Sequence, residues 1–166
     1  MAKDPPTVAY SQGPFLNAAF LCEKVLREAN GVTSAIRIVD RINRGIIGPE
    51  LKRDMEPFEY NLFLYLSLKS GSARGPMELV IRLEDPSGTS KSVSTQTLNF
   101  EGDDERGATL VADLRLQLSL PGLHWFDIVL DRVRITRIPL RVVYQPQIRQ
   151  ARTGQPESGP GESEGQ

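Results

Sequence analysis

Chemistry-bearing residues are scarce in this chain. Its 166 residues hold one cysteine (Cys22), one histidine (His124) and one tryptophan (Trp125). A lone cysteine cannot close a disulfide within the chain, and it fits a reducing, cytoplasmic compartment. One cysteine and one histidine cannot complete a tetrahedral zinc centre. A Cys–His nucleophile pair would need these two residues to meet, and nothing near His124 in sequence supplies a nucleophile or an orienting acid. Charge of one sign is lacking too: 20 Lys+Arg stand against 21 Asp+Glu, for a formal net charge of -1. Proteins that grip phosphate backbones normally carry a basic excess, so nucleic acid is not an expected partner. No apolar run approaches the roughly 20 residues of a membrane-spanning helix. Met1 to Gly13, with Lys3, Asp4, Pro5 and Pro6, has no apolar centre and does not read as a secretory signal. Gly71 and Gly75 flank Ser72, Ala73 and Arg74, but no lysine–serine or lysine–threonine pair follows as a phosphate loop demands. No cofactor is expected.

What the chain does have is alternation. Leu110, Ala112, Leu114, Leu116, Leu118 and Leu120 interleave with Val111, Asp113, Arg115, Gln117 and Ser119. Only a period of two puts all those leucines on one side, so this run is a strand with one buried face. Pro121-Gly122 breaks it, Leu123 to Leu130 returns as a second strand, and Val133 to Tyr144 closes the chain's ordered part.

Upstream, Phe58 to Lys69 alternates with Tyr60, Leu62, Leu64, Leu66 and Leu68 in the inner phase, and Met77, Leu79, Ile81 and Leu83 mark the next strand. Asp85-Pro86-Ser87-Gly88 between them and the following run has Pro and Gly where a type I turn wants them. Lys91 to Phe100 loses phase between Thr97 and Leu98, which suggests a bulge, and its serines and threonines suit a sheet edge. Pro139 lacks an N–H for pairing and should lie at an edge or bulge. Val32 to Ile42 reads as one strand with Ile36, Ile38 and Ile42 in phase. Phe15 to Ala29 is ambiguous: Asn17 could cap a helix, yet Asn30-Gly31 between two apolar runs is a strong hairpin signal, and the hairpin is favoured. Gly45 to Pro57 reads as a long charged connection.

Together these imply an all-β chain of about eight strands, an antiparallel β-sandwich of immunoglobulin-like or Greek-key type with a barrel as runner-up. Residues 1–14 read as a flexible arm, 15–145 as the domain, and 146–166, rich in Gln, Gly, Pro, Ser and Glu, as a disordered tail.

Ala18-Ala19-Phe20-Leu21-Cys22, Asn30-Gly31 and Ile36-Arg37-Ile38-Val39-Asp40-Arg41-Ile42 resemble the first hairpin of a family of small bacterial proteins that form a domain of unknown function. Leu120-Pro121-Gly122, Trp125-Phe126 and Ile138-Pro139-Leu140-Arg141-Val142 are similar to that family's last hairpin, and to the end of immunoglobulin-like and fibronectin-like sandwiches. The resemblance implies a β-sandwich from about Phe15 to Tyr144 and brings no catalytic residue. It departs at Arg132, where such a hairpin often has glycine.

Candidate sites are few. Glu101, Asp103, Asp104 and Glu105 cluster in one loop, and calcium can sit where carboxylates converge. Alternating strand directions would place Asn30, Ser70–Pro76, this loop and Asp131 at one end, with Asp85 and the 45–57 connection at the other. Arg74, Arg106 and Arg132 would compete there for the carboxylates, so solvated ion pairs are the default. Arg132, Arg134, Arg137 and Arg141 lie close to Asp127 and Asp131 and read as a mixed charged face. More informative are apolar residues in the outward phase: Phe63 and Tyr65, Val80, and Trp125 and Val129. If their strands are neighbours, these five form an outer aromatic patch of the kind that marks a contact site. The expected function is a non-enzymatic module that binds a protein partner, or itself, through an outer sheet face or edge strand. The alternative is a carbohydrate- or calcium-dependent binding module, or a cryptic enzyme, at the acidic loop end.

Overall fold

A computed structural model describes residues 12–48 and 54–148. Among these are nine strands and no helix: β1 Phe15–Arg27, β2 Thr33–Ile38, β3 Arg41–Gly48, β4 Phe58–Lys69, β5 Arg74–Glu84, β6 Ser90–Glu101, β7 Gly107–Leu118, β8 Gly122–Leu130 and β9 Val133–Ile148. They form a four-stranded sheet, β2-β1-β4-β7, and a five-stranded sheet, β3-β9-β8-β5-β6. Most of the expected arm and tail lies outside the described residues, although β9 continues three residues past Gln145 to Ile148.

Period-two patterning accounts for the core. Leu62, Leu64, Leu66 and Leu68 of β4 and Leu114, Leu116 and Leu118 of β7 have at most 2% of their surface exposed. They join Leu79, Ile81, Phe126, Ile128 and Leu140 of the other sheet in one apolar cluster. Burying each such side chain is worth about 1.5–3 kcal/mol. Leu120, beyond the end of β7, is 38% exposed and outside the ladder.

The ambiguous segment is strand β1, and Ala29-Asn30-Gly31 turns it into β2. Gly31 adopts φ +83°, its N–H donates to the Glu28 carbonyl, and the Asn30 side chain accepts from Val32 N–H. The strand expected to bulge does so, but nearer its start than the loss of phase at Thr97 and Leu98 suggested, since pairing with β5 runs unbroken through those two residues. Register slips where Ile81 and Arg82 of β5 face Ser94 and Ser92, leaving Val93 as the extra residue of edge strand β6. Pro139 lies where β9 has no outer partner, because pairing with β3 begins at Arg41–Arg141.

Three expectations are corrected. The run from Val32 to Ile42 is two strands, which raises the count from eight to nine. Arg37 sits at φ +54°, Val39 N–H donates to Leu21 of β1, and the Asp40 carbonyl accepts from Arg141 of β9. The chain thus passes from one sheet to the other within two residues. Ile36 and Ile38 therefore stay on an outer face at 39% and 68% exposure, while Ile42 enters the core at 4%. The crossing also makes β3 run parallel to β9, so pairing is not wholly antiparallel. Finally, the supposed connection after Gly45 begins as strand β3, and its later residue Met55 is buried in the core. The charged residues Glu50, Lys52 and Arg53 lie outside the described residues.

Candidate interaction face

Inward leucines on β4 force its intervening residues outward, and β1 and β7 follow the same parity. Register places Phe20 beside Tyr65 and Cys22 beside Phe63, with Ile38 on the other side of Cys22. On β7, Val111 lies opposite Tyr65 and Asp113 opposite Phe63. The rings of Phe20 and Tyr65 stack with centroids 5.0 Å apart at 17°. Phe20, Phe63, Tyr65 and Val111 are all half-buried and none belongs to the core cluster. With Ile36 and Ile38 they make an apolar, aromatic outer face on the four-stranded sheet. Its border is polar: Ser67 follows Tyr65 in the outward phase, bonded to Asn17 at 3.3 Å, while Arg115 and Asn61 pair beyond Phe63.

Cys22 has no exposed surface although it points outward. Its larger neighbours Phe63 and Ile38 cover it, a single layer of side chains and not the deep core. That cover raises the thiol pKa, and the Lys24 backbone opposes the shift. The thiol is thus kept protonated and unreactive.

Of the five residues singled out in the sequence, this face holds only Phe63 and Tyr65. Val80, Trp125 and Val129 belong to the five-stranded sheet, whose outer side faces the opposite way. They form no single patch with Phe63 and Tyr65. Val129 is 3% exposed, set between Val80 and Arg134 in the register. Trp125 is covered by the Arg137 guanidinium, 4.8 Å from its ring centroid. The same arginine meets Glu84 at 2.6 Å and Asp127 at 2.9 Å, and Arg134 stands 3.6 Å from Asp127. The Arg137–Asp127 contact is an ion pair without hydrogen-bond alignment. On this second face a chain of ion pairs runs through Arg134, Asp127, Arg137 and Glu84, and its one large aromatic is already engaged. Sequence reasoning missed Phe20, Ile36, Ile38 and Val111, although β1's outward phase could have flagged Phe20 once that segment was taken as a strand.

At the acidic end, Glu101, Asp103 and Asp131 already have partners. Arg106 pairs with Glu101 and lies 3.7 Å from Asp103, whose Oδ1 accepts from Glu105 N–H at 2.9 Å. Asp131 Oδ1 accepts from Glu78 N–H at 2.8 Å. Among the described residues no group of three or more His, Cys, Asp or Glu is arranged to hold a metal ion. Asn30 belongs to the other end, since β1 starts beside the end of β4, at Phe15–Lys69. The open space here, about 250 Å³, is lined by Ser70, Asn99, Glu101, Arg106 and Gly107. His124 faces inward at 2% exposure, and burial lowers its pKa against the opposing pull of the Gly122 carbonyl and Asp85. Cys22 and His124 lie in different sheets, on an outer and an inner face respectively, and no Cys–His pair forms.

No protein-family model matches the chain, and no curated protein matches it. Among solved structures, it is similar to the Pseudomonas fluorescens alkylpurine DNA glycosylase AlkC bound to DNA containing an abasic site analog, at 13% identity and a TM-score of 0.37. That match covers 75% of this chain and 30% of the glycosylase chain. It is also similar to a beta-glucosidase from Listeria innocua in complex with glucose, at 12% identity and a TM-score of 0.42, covering 76% of this chain and 16% of the other. The chain spans less than a third of either, and neither likeness bears on its function. No helix among the described residues is long and apolar enough to cross a membrane.

Proposed function

We propose that the chain is a non-catalytic, cytoplasmic β-sandwich of immunoglobulin-like type. It binds an apolar protein surface, a second copy of itself or another protein, through the outer face of the four-stranded sheet. The observation that carries this reading is the grouping on that face of the Phe20–Tyr65 stack, Phe63, Val111, Ile36 and Ile38 outside the core. A rigid aromatic centre inside a polar border is how contact surfaces concentrate their binding energy. Aromatic side chains lose little conformational freedom on contact and cover much area, so a few suffice. The opposite face lacks this character, because Arg137 already covers Trp125 and ion pairs join Asp127 to Arg134 and Arg137 around it.

Paired substitutions separate the two faces. Sedimentation of the full chain across a concentration series, and capture of interacting proteins, are measured for Phe63→Ser and Tyr65→Ser beside Trp125→Ser. The expected result is loss of self-association or of a captured protein in the first two variants and its retention in the third. Unchanged behaviour of Phe63→Ser and Tyr65→Ser in both assays contradicts the proposal, as does loss confined to Trp125→Ser.

A further inference from the structure

Away from the aromatic face, the two sheets leave an open seam where their edge strands β6 and β7 run side by side. Near the Pro121-Gly122 corner this seam holds a cavity of about 160 Å³, walled by Asp85, Thr89, Lys91, Gln117, Ser119 and His124. Leu83 adds an apolar side chain to this otherwise polar wall, and the histidine lies at its inner edge. His124 shares the inner phase of β8 with Phe126 and Ile128 and is 2% exposed, and its Nδ1 has no hydrogen-bond partner among the described residues.

The charged groups around the ring come from two elements. Asp85, in the β5–β6 turn, is held in place as its Oδ1 accepts from Ser87 N–H at 2.9 Å and Thr89 N–H at 3.1 Å. Lys91 stands on β6, while Gln117 of β7 and Ser119 just past its end are uncharged. The ring thus sits on a boundary between an apolar layer that excludes a charge and an open cavity with a fixed carboxylate in its wall.

We propose that His124 is a proton-operated latch on this end of the seam. Neutral, it closes the inner layer beneath the cavity; protonated, it turns into the cavity toward Asp85 and loosens the Pro121-Gly122 corner. The proton comes from solvent and is added to the ring nitrogen that carries none. Left in place, an imidazolium would have only the Gly122 carbonyl and the Asp85 carboxylate to set against its loss of water, and burial outweighs both. Charging the ring thus favours its movement into the cavity or an opening of the layer. A corner with two arrangements biased by one proton is the elementary form of such a switch. The latch is independent of the proposed contact face, which lies on other side chains.

Because the chain has one histidine, its imidazole resonances titrate without ambiguity in the full-length protein. The experiment follows them by NMR from pH 7.5 to 5 and, in parallel, amide hydrogen exchange corrected for intrinsic rates. The expected imidazole midpoint lies below that of an unstructured histidine. At that same midpoint, protection at residues 85–91 and 119–125 drops by about tenfold or more, while residues 110–116 keep theirs. Asp85→Asn, which retains an acceptor for the turn, moves both midpoints lower, and His124→Gln shows no such local step. A midpoint at or above the unstructured value overturns the proposal. So does protection that stays constant, falls evenly over all strands, or falls alike in His124→Gln.

Discussion

Single residues in this fold carry opposing demands that can be measured one at a time. Asp131 and Arg132 form the two-residue β8–β9 turn with φ of +42° and +69°. Such a turn favours glycine or asparagine, and an arginine there is strained. The turn forms nonetheless because Asp131 is fixed to β5 through both its N–H and its carboxylate on Glu78. Arg132→Gly should therefore stabilise the chain by about 0.5–1 kcal/mol, read as a higher denaturant midpoint. His124 gives a second test. Its folded pKa lies below its unfolded one because burial disfavours the charged ring. The unfolded chain therefore binds the proton first as pH falls. Stability should be fully present above the unfolded value near 6.5 and decline as pH drops through the window down to the folded value. In His124→Gln that part of the slope should vanish from thermal melts taken across the same range.

At the scale of elements, the buried face of the leucine-rich strands was legible, that of Val32 to Ile42 was not, and no strand's neighbours were. Alternation along β4 and β7 named the inward leucines, and those leucines are in the core. Yet a period of two assigns a side chain to a face without saying which strand lies alongside. Phe63 and Trp125 were thus both correctly outward, but on sheets whose outer sides face apart. The crossing at Val39 and Asp40 was hidden for a related reason. It depends on an arginine with positive φ and on two backbone hydrogen bonds to distant strands, which no local composition announces. The ladder itself makes firm predictions. Leu114→Ala should cost about 2–5 kcal/mol in a denaturant series, since the residue sits within the shared cluster. Gly107, where β7 begins opposite Lys69, leaves no space for a side chain: an added Cβ would lie 1.9 Å from the Leu68 carbonyl oxygen. Gly107→Ala should thus destabilise by about 1–3 kcal/mol and shift the β4–β7 register, seen as lost amide protection at Ser67 to Lys69.

For the whole molecule, the two outer faces differ in kind. One is charged, with ion pairs linking Arg134 to Asp127, Asp127 to Arg137 and Arg137 to Glu84. The other gathers aromatic and aliphatic side chains around a covered cysteine inside a polar border. This asymmetry was only half readable in the sequence. The outward phase of Phe63 and Tyr65 was clear, but their joining with Phe20 and Ile38 required β1 and β2 to lie beside β4. A contact face should also be the part of the surface that loses solvent on assembly. Hydroxyl-radical footprinting of the full chain, isolated and in the assembly or complex it forms, reads this residue by residue. The account predicts that Phe20, Phe63 and Tyr65 lose labelling together on assembly while Trp125 keeps its own. Protection of Trp125 with Phe20, Phe63 and Tyr65 labelled as before would contradict it.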